Sequence, residues 1–229
     1  MPISWDRPIY KLKTESGEQV LIDVTTSISP GLPPNKVIQE HIIPFFRRRG
    51  VETVLDFGAG SLRHTFPLLD AGFQVCVVEF GEAFRRPKAS LALQKARKHP
   101  NFSALIWPKQ FIKDDRKFDA AMLNYVLQVM PKARERDTVL RYIYRKLEKD
   151  AYLLYMSRYN QMQGVIEEHK VEDGYYKWPK RKYHSFYREF TTEETHKMMS
   201  KFKFRRIRSL SERGTDQIFV YMKGKGTWI

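Results

Sequence analysis

The chain has 229 residues, 42% of them hydrophobic and 14% aromatic, enough for one domain with a sizeable core. No run of about 18 or more uncharged apolar residues offers a transmembrane helix, the start Met1-Pro2-Ile3-Ser4-Trp5-Asp6-Arg7 lacks the regions of a secretory signal, and the lone Cys76 supplies neither a disulfide framework nor a thiolate metal site, so a cytoplasmic protein with no membrane segment and no metal is expected. Against 26 Asp and Glu stand 41 Lys and Arg, a net charge of +15, and such a balance favours anionic partners, nucleic acid first.

In chain order, Pro8 to Thr14 and Gln19 to Thr25 flank Glu15-Ser16-Gly17-Glu18 and predict a hairpin outside the main sheet. Asn35 to Arg49 predicts a helix with Val37, Ile38, His41, Ile42, Phe45 and Phe46 on one face, a stop at Gly50 and a kink at Pro44. Residues 1–50 thus read as an N-terminal extension and 51–229 as the domain proper. Strands and helices then alternate as in an α/β unit: strand Thr53 to Phe57, helix Leu62 to Ala71, strand Phe73 to Glu79, helix Ala83 to Lys98, strands Phe102 to Trp107 and Phe118 to Asn124, helix Lys132 to Glu148, and strand Ala151 to Met156. A last helix, Thr192 to Phe202, starts at a cap on Thr191 or Thr192. Phe204 to Leu210 and Gln217 to Met222 close the chain as a hairpin across Glu212 to Thr215. Between them, Arg158 to Glu189 has no clear period and exceeds an ordinary connection, which predicts a loop or lid insertion over about 158–190, with Gly164 and Gly174 giving it backbone freedom.

The densest chemical signal is Val54-Leu55-Asp56-Phe57-Gly58-Ala59-Gly60, an apolar strand running into an acid and a Gly-x-Gly turn where backbone can approach a ligand closely. About twenty residues on, Val75-Cys76-Val77-Val78 ends in Glu79, placed to hydrogen-bond a ribose diol or to serve as an ordinary acid at a helix start. A dinucleotide fingerprint asks for a third glycine where Arg63 stands, which weakens a nicotinamide reading. The ordered set, with Phe118-Asp119-Ala120-Ala121-Met122-Leu123-Asn124-Tyr125 as a buried strand entering a loop, resembles the class I S-adenosylmethionine-dependent methyltransferases over roughly Thr53 to Met222. That resemblance implies a Rossmann-like α/β sheet, mostly parallel with an antiparallel C-terminal strand, and S-adenosylmethionine as cofactor. It further implies that the turn Phe57, Gly58, Ala59 and Gly60 cradles the methionine part, that Asp56 faces its ammonium through water, and that Glu79 takes the ribose hydroxyls. Phe80 and Trp107 would flank the adenine, and Asn124 and Tyr125 would line the approach to the methyl group. Trp107 departs from the acid often found after the third strand of the family.

The acceptor is less defined. Asn124-Tyr125-Val126-Leu127 lacks the prolines of amino-group DNA methyltransferases, and Cys76 lies in the wrong element for a cytosine-carbon nucleophile. Where the nucleophile must lose a proton, Tyr125, His64 and His184 are the candidate bases. The run Lys177-Trp178-Pro179-Lys180-Arg181-Lys182-Tyr183-His184-Ser185-Phe186-Tyr187-Arg188 interleaves cations with aromatics, as in segments that hold phosphates and stack bases, or as in a solvated loop. Lys201 to Arg208 reads as a basic edge strand. Arg158, Tyr159, Lys180, Arg181 and Tyr183 are accordingly expected to bind the acceptor. Nucleic acid, RNA first, or another nucleotide-containing acceptor is expected. A small anionic metabolite, or a non-catalytic nucleic-acid-binding role beside partner protein subunits, stays open.

Overall fold

The computed structural model describes residues 8–27, 32–159, 167–177, 182–211 and 216–225. The N-terminal hairpin forms as expected, β1 (Ile9–Lys13) antiparallel to β2 (Gln19–Asp23), with Tyr10, Leu12, Val20 and Ile22 turned inward at every second position. The next helix widens into a π turn over Ile38–Ile42 before α1 (Ile43–Arg48). Pro44 near the start of α1 has no N–H to give, and the wider turn takes the place of the expected kink.

The α/β unit follows as β3 (Thr53–Phe57), α2 (Thr65–Asp70), β4 (Gln74–Phe80), α3 (Gly81–Phe84), α4 (Pro87–Ala96), β5 (Phe102–Trp107), α5 (Lys109–Lys113), β6 (Phe118–Asn124), α6 (Ala133–Lys146) and β7 (Leu147–Arg158). Three expectations are corrected here. The helix drawn over Ala83 to Lys98 is broken, because Arg86, preceding Pro87, is held extended at ψ 137°. The helix expected from Leu62 begins only at Thr65, because Leu62 lies in the left-handed region at φ 61° and closes the glycine turn first. The strand expected over Ala151 to Met156 is also longer, running on to Arg158.

The stretch from Arg158 to Glu189, expected to be irregular, contains β8 (Lys170–Val171), β9 (Gly174–Lys177) and β10 (Ser185–Tyr187). These strands are too short to show a period in sequence, and they pair in the order β10-β9-β8. Then come α7 (Thr192–Lys201), started by a capping box between Thr191 and Glu194, and the hairpin β11 (Phe204–Ser211) and β12 (Asp216–Lys223); its tip, Glu212 to Thr215, lies outside the described residues, as does Gly164.

The main sheet has seven strands in the order β11-β12-β7-β6-β3-β4-β5, with β3 to β7 parallel and β12 antiparallel to β7. Alternate residues of β3 feed two cores: Leu55 and Phe57 pack toward Val139, Leu140 and Ile143 of α6, while Val54 packs toward Phe46 of α1 and Leu68 of α2. From β3 the chain winds outward through β4 to β5 and then returns to β3's other side at β6. Such a reversal leaves a crevice beyond the carboxyl ends of the strands, where α/β sheets bind ligands.

A second, smaller β unit covers that crevice. β1 pairs with β2, β2 meets β10 through Ile22 and His184, β10 pairs with β9, β9 with β8, and β8 returns to the first hairpin through Val171 and Thr14. The pairings run in a closed circle around Tyr10, Leu12, Val20, Ile22, Val24, Val171, Tyr176 and Phe186. Gly174 is tied to this packing rather than to freedom of movement: a Cβ there would lie 2.6 Å from the Tyr187 carbonyl oxygen and 2.5 Å from the Phe186 ring. No helix among the described residues is long and apolar enough to cross a membrane, and no cluster of three or more metal-ligating side chains occurs among them.

Candidate cofactor and acceptor site

Between the sheet and the cap lies a cavity of about 400 Å³, within the size range of small-molecule and cofactor sites. Its floor is the glycine turn. Gly58 and Gly60 adopt φ of 72° and 56°, a region that costs other residues roughly 1–2 kcal/mol. A Cβ on Gly58 would also stand 2.5 Å from Val126 Cγ2, so the close approach served by this glycine is first to the chain's own loop after β6.

Two buried carboxylates sit in the cavity wall beside the turn. Glu79, ending β4, accepts the Gly60 N–H at 3.1 Å and its neighbour Phe80's N–H at 2.9 Å. Burial outweighs these bonds and, with the charge of Asp56, pushes the Glu79 carboxyl up to about 7. Asp56 accepts the Thr65 hydroxyl at 2.7 Å, and burial pushes it up to about 6 despite that bond. The free pocket therefore holds two carboxyls that ionise readily only once a cation or hydroxyl donors compensate them.

Two further buried polar atoms in the wall, His64 Nε2 and Asn124 Oδ1, have no hydrogen-bond partner among the described residues. Buried polar groups are nearly always paired, which makes both atoms candidate ligand contacts. Phe80 and Trp107 bring the aromatic side, Trp107 being fixed edge-on against Phe57 at 5.1 Å between ring centroids.

The opposite end is basic and aromatic. Tyr125, itself at φ 63°, donates its hydroxyl to Asp216 at 3.0 Å and accepts from Asn35 Nδ2 at 3.3 Å. Its ring carries the Arg63 guanidinium at 5.3 Å and that of Arg158 at 5.9 Å. Burial, then the negative charge of Asp216, pushes the Tyr125 phenol up to about 12. His64 stacks loosely beside it at 6.1 Å. Burial and the Arg63 charge hold its imidazole down to about 3, a poor match for a general base near pH 7.

Of the residues singled out in the sequence, the cavity brings together Asp56, Phe57, Gly58, Ala59, Gly60, Glu79, Phe80, Trp107, Asn124, His64, Tyr125 and Arg158. Tyr159, Tyr183 and His184 are absent from its wall. His184 belongs to the cap seam instead: its N–H donates to Leu21 O at 2.8 Å, its carbonyl accepts from Asp23 N at 3.0 Å, and its ring faces Tyr176 at 5.0 Å. The structure thus does not bring His184, expected as a proton acceptor, to the cavity wall. Lys180 and Arg181 lie outside the described residues.

Among the wall residues not expected from the sequence, Arg63, Lys177 and Gln128 bear most on the site. Arg63 had counted only as a departure from a glycine fingerprint, and Lys177 only as the start of a basic run. Gln128, buried in the wall, accepts the Arg158 N–H at 2.7 Å through its side chain and the Arg188 N–H at 2.8 Å through its carbonyl. It stitches the loop after β6 to β7 and to the cap.

The cap is anchored by side chains as well as strands. Tyr10 donates to Glu135 of α6 at 2.7 Å, Arg86 holds Asp23 at 3.0 Å, and Arg136 and Arg188 both clasp Asp173.

No family model matches the sequence, and no curated protein matches it. Solved structures share the fold. The CcbJ methyltransferase of Streptomyces caelestis is 18% identical with a TM-score of 0.64, over 89% of this chain and 96% of that one. A SAM-dependent methyltransferase of Methanosarcina mazei is 17% identical with a TM-score of 0.63, over 84% and 99%. The 1,6-didemethyltoxoflavin-N1-methyltransferase of Burkholderia thailandensis, solved with its acceptor and S-adenosylhomocysteine, is 18% identical with a TM-score of 0.60, over 83% and 80%. The chain thus has the Rossmann-like α/β fold of class I methyltransferases, with its mostly parallel sheet and antiparallel C-terminal strand.

Proposed function

We propose that the protein binds S-adenosylmethionine on the floor of this cavity and transfers its methyl group to an acceptor held beneath the cap. The observation that carries the reading is the pair of buried carboxylates, Asp56 and Glu79, flanking a glycine turn at the carboxyl end of β3, with the orphaned Asn124 Oδ1 in the same wall. These groups fit the cofactor: the turn from Phe57 to Gly60 for the methionine portion, Asp56 for its ammonium, Glu79 for the ribose hydroxyls, Phe80 and Trp107 for the adenine. When bound, the cofactor supplies a sulfonium-activated methyl carbon, so the chain's own task is alignment and exclusion of water.

Alignment falls to Asn124 and Tyr125. Tyr125 is fixed by Asp216 and Asn35 and stays protonated near neutrality, so it serves as a positioned ring and hydroxyl rather than as a base. The cap supplies exclusion: Val24–Ser27 and Ser185–Tyr187 both contribute to the cavity wall. An acceptor small enough to be enclosed fits this arrangement.

A nucleic-acid acceptor, or a non-catalytic role in an assembly, is the second reading, favoured by the net charge of +15 and by Arg205 and Arg206, exposed on the edge strand β11. Labelled methyl offered with total RNA, DNA and small-molecule pools separates these readings. Calorimetry with S-adenosylhomocysteine tests the cofactor itself; no binding by the purified protein ends the methyltransferase reading.

A further inference from the structure

We propose that the acceptor is a small molecule bearing a carboxylate or phosphate group, and that Arg158 and Lys177 hold this group between the sheet and the cap. The inference rests on the methyltransferase reading above and names the substrate class for the same site. Arg158 ends β7 and Lys177 ends β9, so one cation belongs to the sheet and the other to the cap, and both line the cavity.

Each cation is seated on an aromatic ring: the Arg158 guanidinium 5.9 Å from the centre of Tyr125, the Lys177 ammonium 4.6 Å from that of Tyr187. Tyr187 in turn donates its hydroxyl to the Arg158 carbonyl at 3.1 Å, which joins the two seats. Among the described residues neither cation forms an ion pair or a side-chain hydrogen bond.

Arg63 brings a third positive charge to the group, on the same Tyr125 ring as Arg158. The carboxylates that act on this group are Glu189, which faces Lys177, and Asp216, which faces Arg63 and is already engaged by Tyr125 and Asn35. Burial, and then the charge of Arg158, depresses proton binding at Lys177. Lys177 is half-buried and crowded by the charge of the exposed Arg158 at the cavity rim, and an oxyanion set between the two relieves that crowding through charge-assisted hydrogen bonds.

The cavity is thus polarised. Asp56 and Glu79 make one end acidic, matching the positive sulfonium and ammonium of the cofactor, while the basic end is left for a negative acceptor. Enclosure by residues 24–27 and 185–187 favours a small molecule over a polymer.

Two measurements test this. In the first, labelled S-adenosylmethionine is incubated with the protein and a small-molecule cell extract split by anion exchange, alongside total RNA. Label is expected in the anionic small molecules; label in the non-anionic fraction or in RNA instead overturns the proposal. In the second, protein saturated with S-adenosylhomocysteine, so that the cofactor's own carboxylate is already placed, is titrated calorimetrically with inorganic phosphate, benzoate and neutral benzamide. An anion is expected to bind and benzamide not, with affinity falling about tenfold or more in Arg158→Gln and Lys177→Gln, the scale of one lost charge-assisted bond. Affinity for S-adenosylhomocysteine is expected to stay within about twofold, because the sites are separate, and Arg205→Gln on the outer edge strand keeps the anion response. Benzamide binding as well as benzoate, or anion affinity unchanged in both variants, overturns the proposal. Failure of the wild type to bind S-adenosylhomocysteine sinks the methyltransferase reading instead, and the two failures are distinct.

Discussion

The sheet wall of the cavity is made by near neighbours in the chain: Asp56 to Gly60 on β3 and its turn, and Glu79 at the end of the adjacent β4. The cap wall joins residues 24–27 to residues 185–187, far apart in sequence and brought together beside the bridge between Ile22 and His184. The first wall is acidic and packed into both large cores; the second combines aromatic and hydroxyl side chains with Lys177 and has a small core of its own. On the proposed function, one wall holds the cofactor and the other faces the acceptor. If that division is right, substitutions in the two walls should have separable effects.

The largest effect is expected from Gly58→Val, which meets both the left-handed φ and the Val126 side chain. It should cost about 2–5 kcal/mol of stability, from strain plus overpacking, and remove cofactor binding. Thermal melting and calorimetry check this, and Val126→Ala in the same chain should recover part of the loss. Glu79→Ala comes next: it should weaken S-adenosylhomocysteine by roughly 10–100-fold, the worth of hydrogen bonds to a charged group, with little change in the cap.

Gly174→Ala is the counterpart on the other wall. Pressing a methyl group against the Tyr187 carbonyl and the Phe186 ring should cost about 1–3 kcal/mol, felt locally. Hydrogen exchange should quicken in β1, β2 and β8 to β10 while β3 and β6 keep their protection. Equal loss of protection in both walls would show that they are one cooperative unit.

The two raised carboxyls give a pH test whose signs oppose each other. Glu79, at about 7 against an ordinary 4.5, and Asp56, at about 6 against 3.8, bind protons more tightly folded than unfolded. The free protein should lose stability as pH rises from about 4 to 7. Cofactor affinity should rise about tenfold between pH 6 and 8 as Glu79 gives up its proton. A flat affinity profile over that range removes Glu79 from the ribose site. The smallest effect is expected from Tyr125→Phe, about 1 kcal/mol for the lost hydroxyl contacts, seen as slower methyl transfer with cofactor affinity within about twofold.

The same contrast explains what could be read from the sequence. The sheet wall was legible because its signal is contiguous: an apolar strand, an acid and two glycines, then a second strand ending in Glu79. The order of helices and strands followed from the same local periodicity, apart from the break at Pro87 and the delayed start at Thr65. The cap was not legible. Its strand β8 spans only Lys170–Val171, and its closure depends on Ile22 finding His184, a pairing that no local pattern encodes. His184 looked available for proton transfer because a histidine in a basic run carries no sign that its backbone is committed to Leu21 and Asp23. Lys177 and Arg63 were visible as charges, but only the fold points them into a cavity.

The circular pairing of the cap also bears on how the molecule is assembled. Contacts between segments so far apart carry a loop-closure cost that the neighbouring strands of the main sheet avoid, and a lone two-stranded hairpin is at best marginally stable in water. During synthesis, β1 and β2 must therefore wait until residues 170–187 have emerged. The glycine-turn floor is made by residues that emerge early, while the cap over it closes only once these later residues are available.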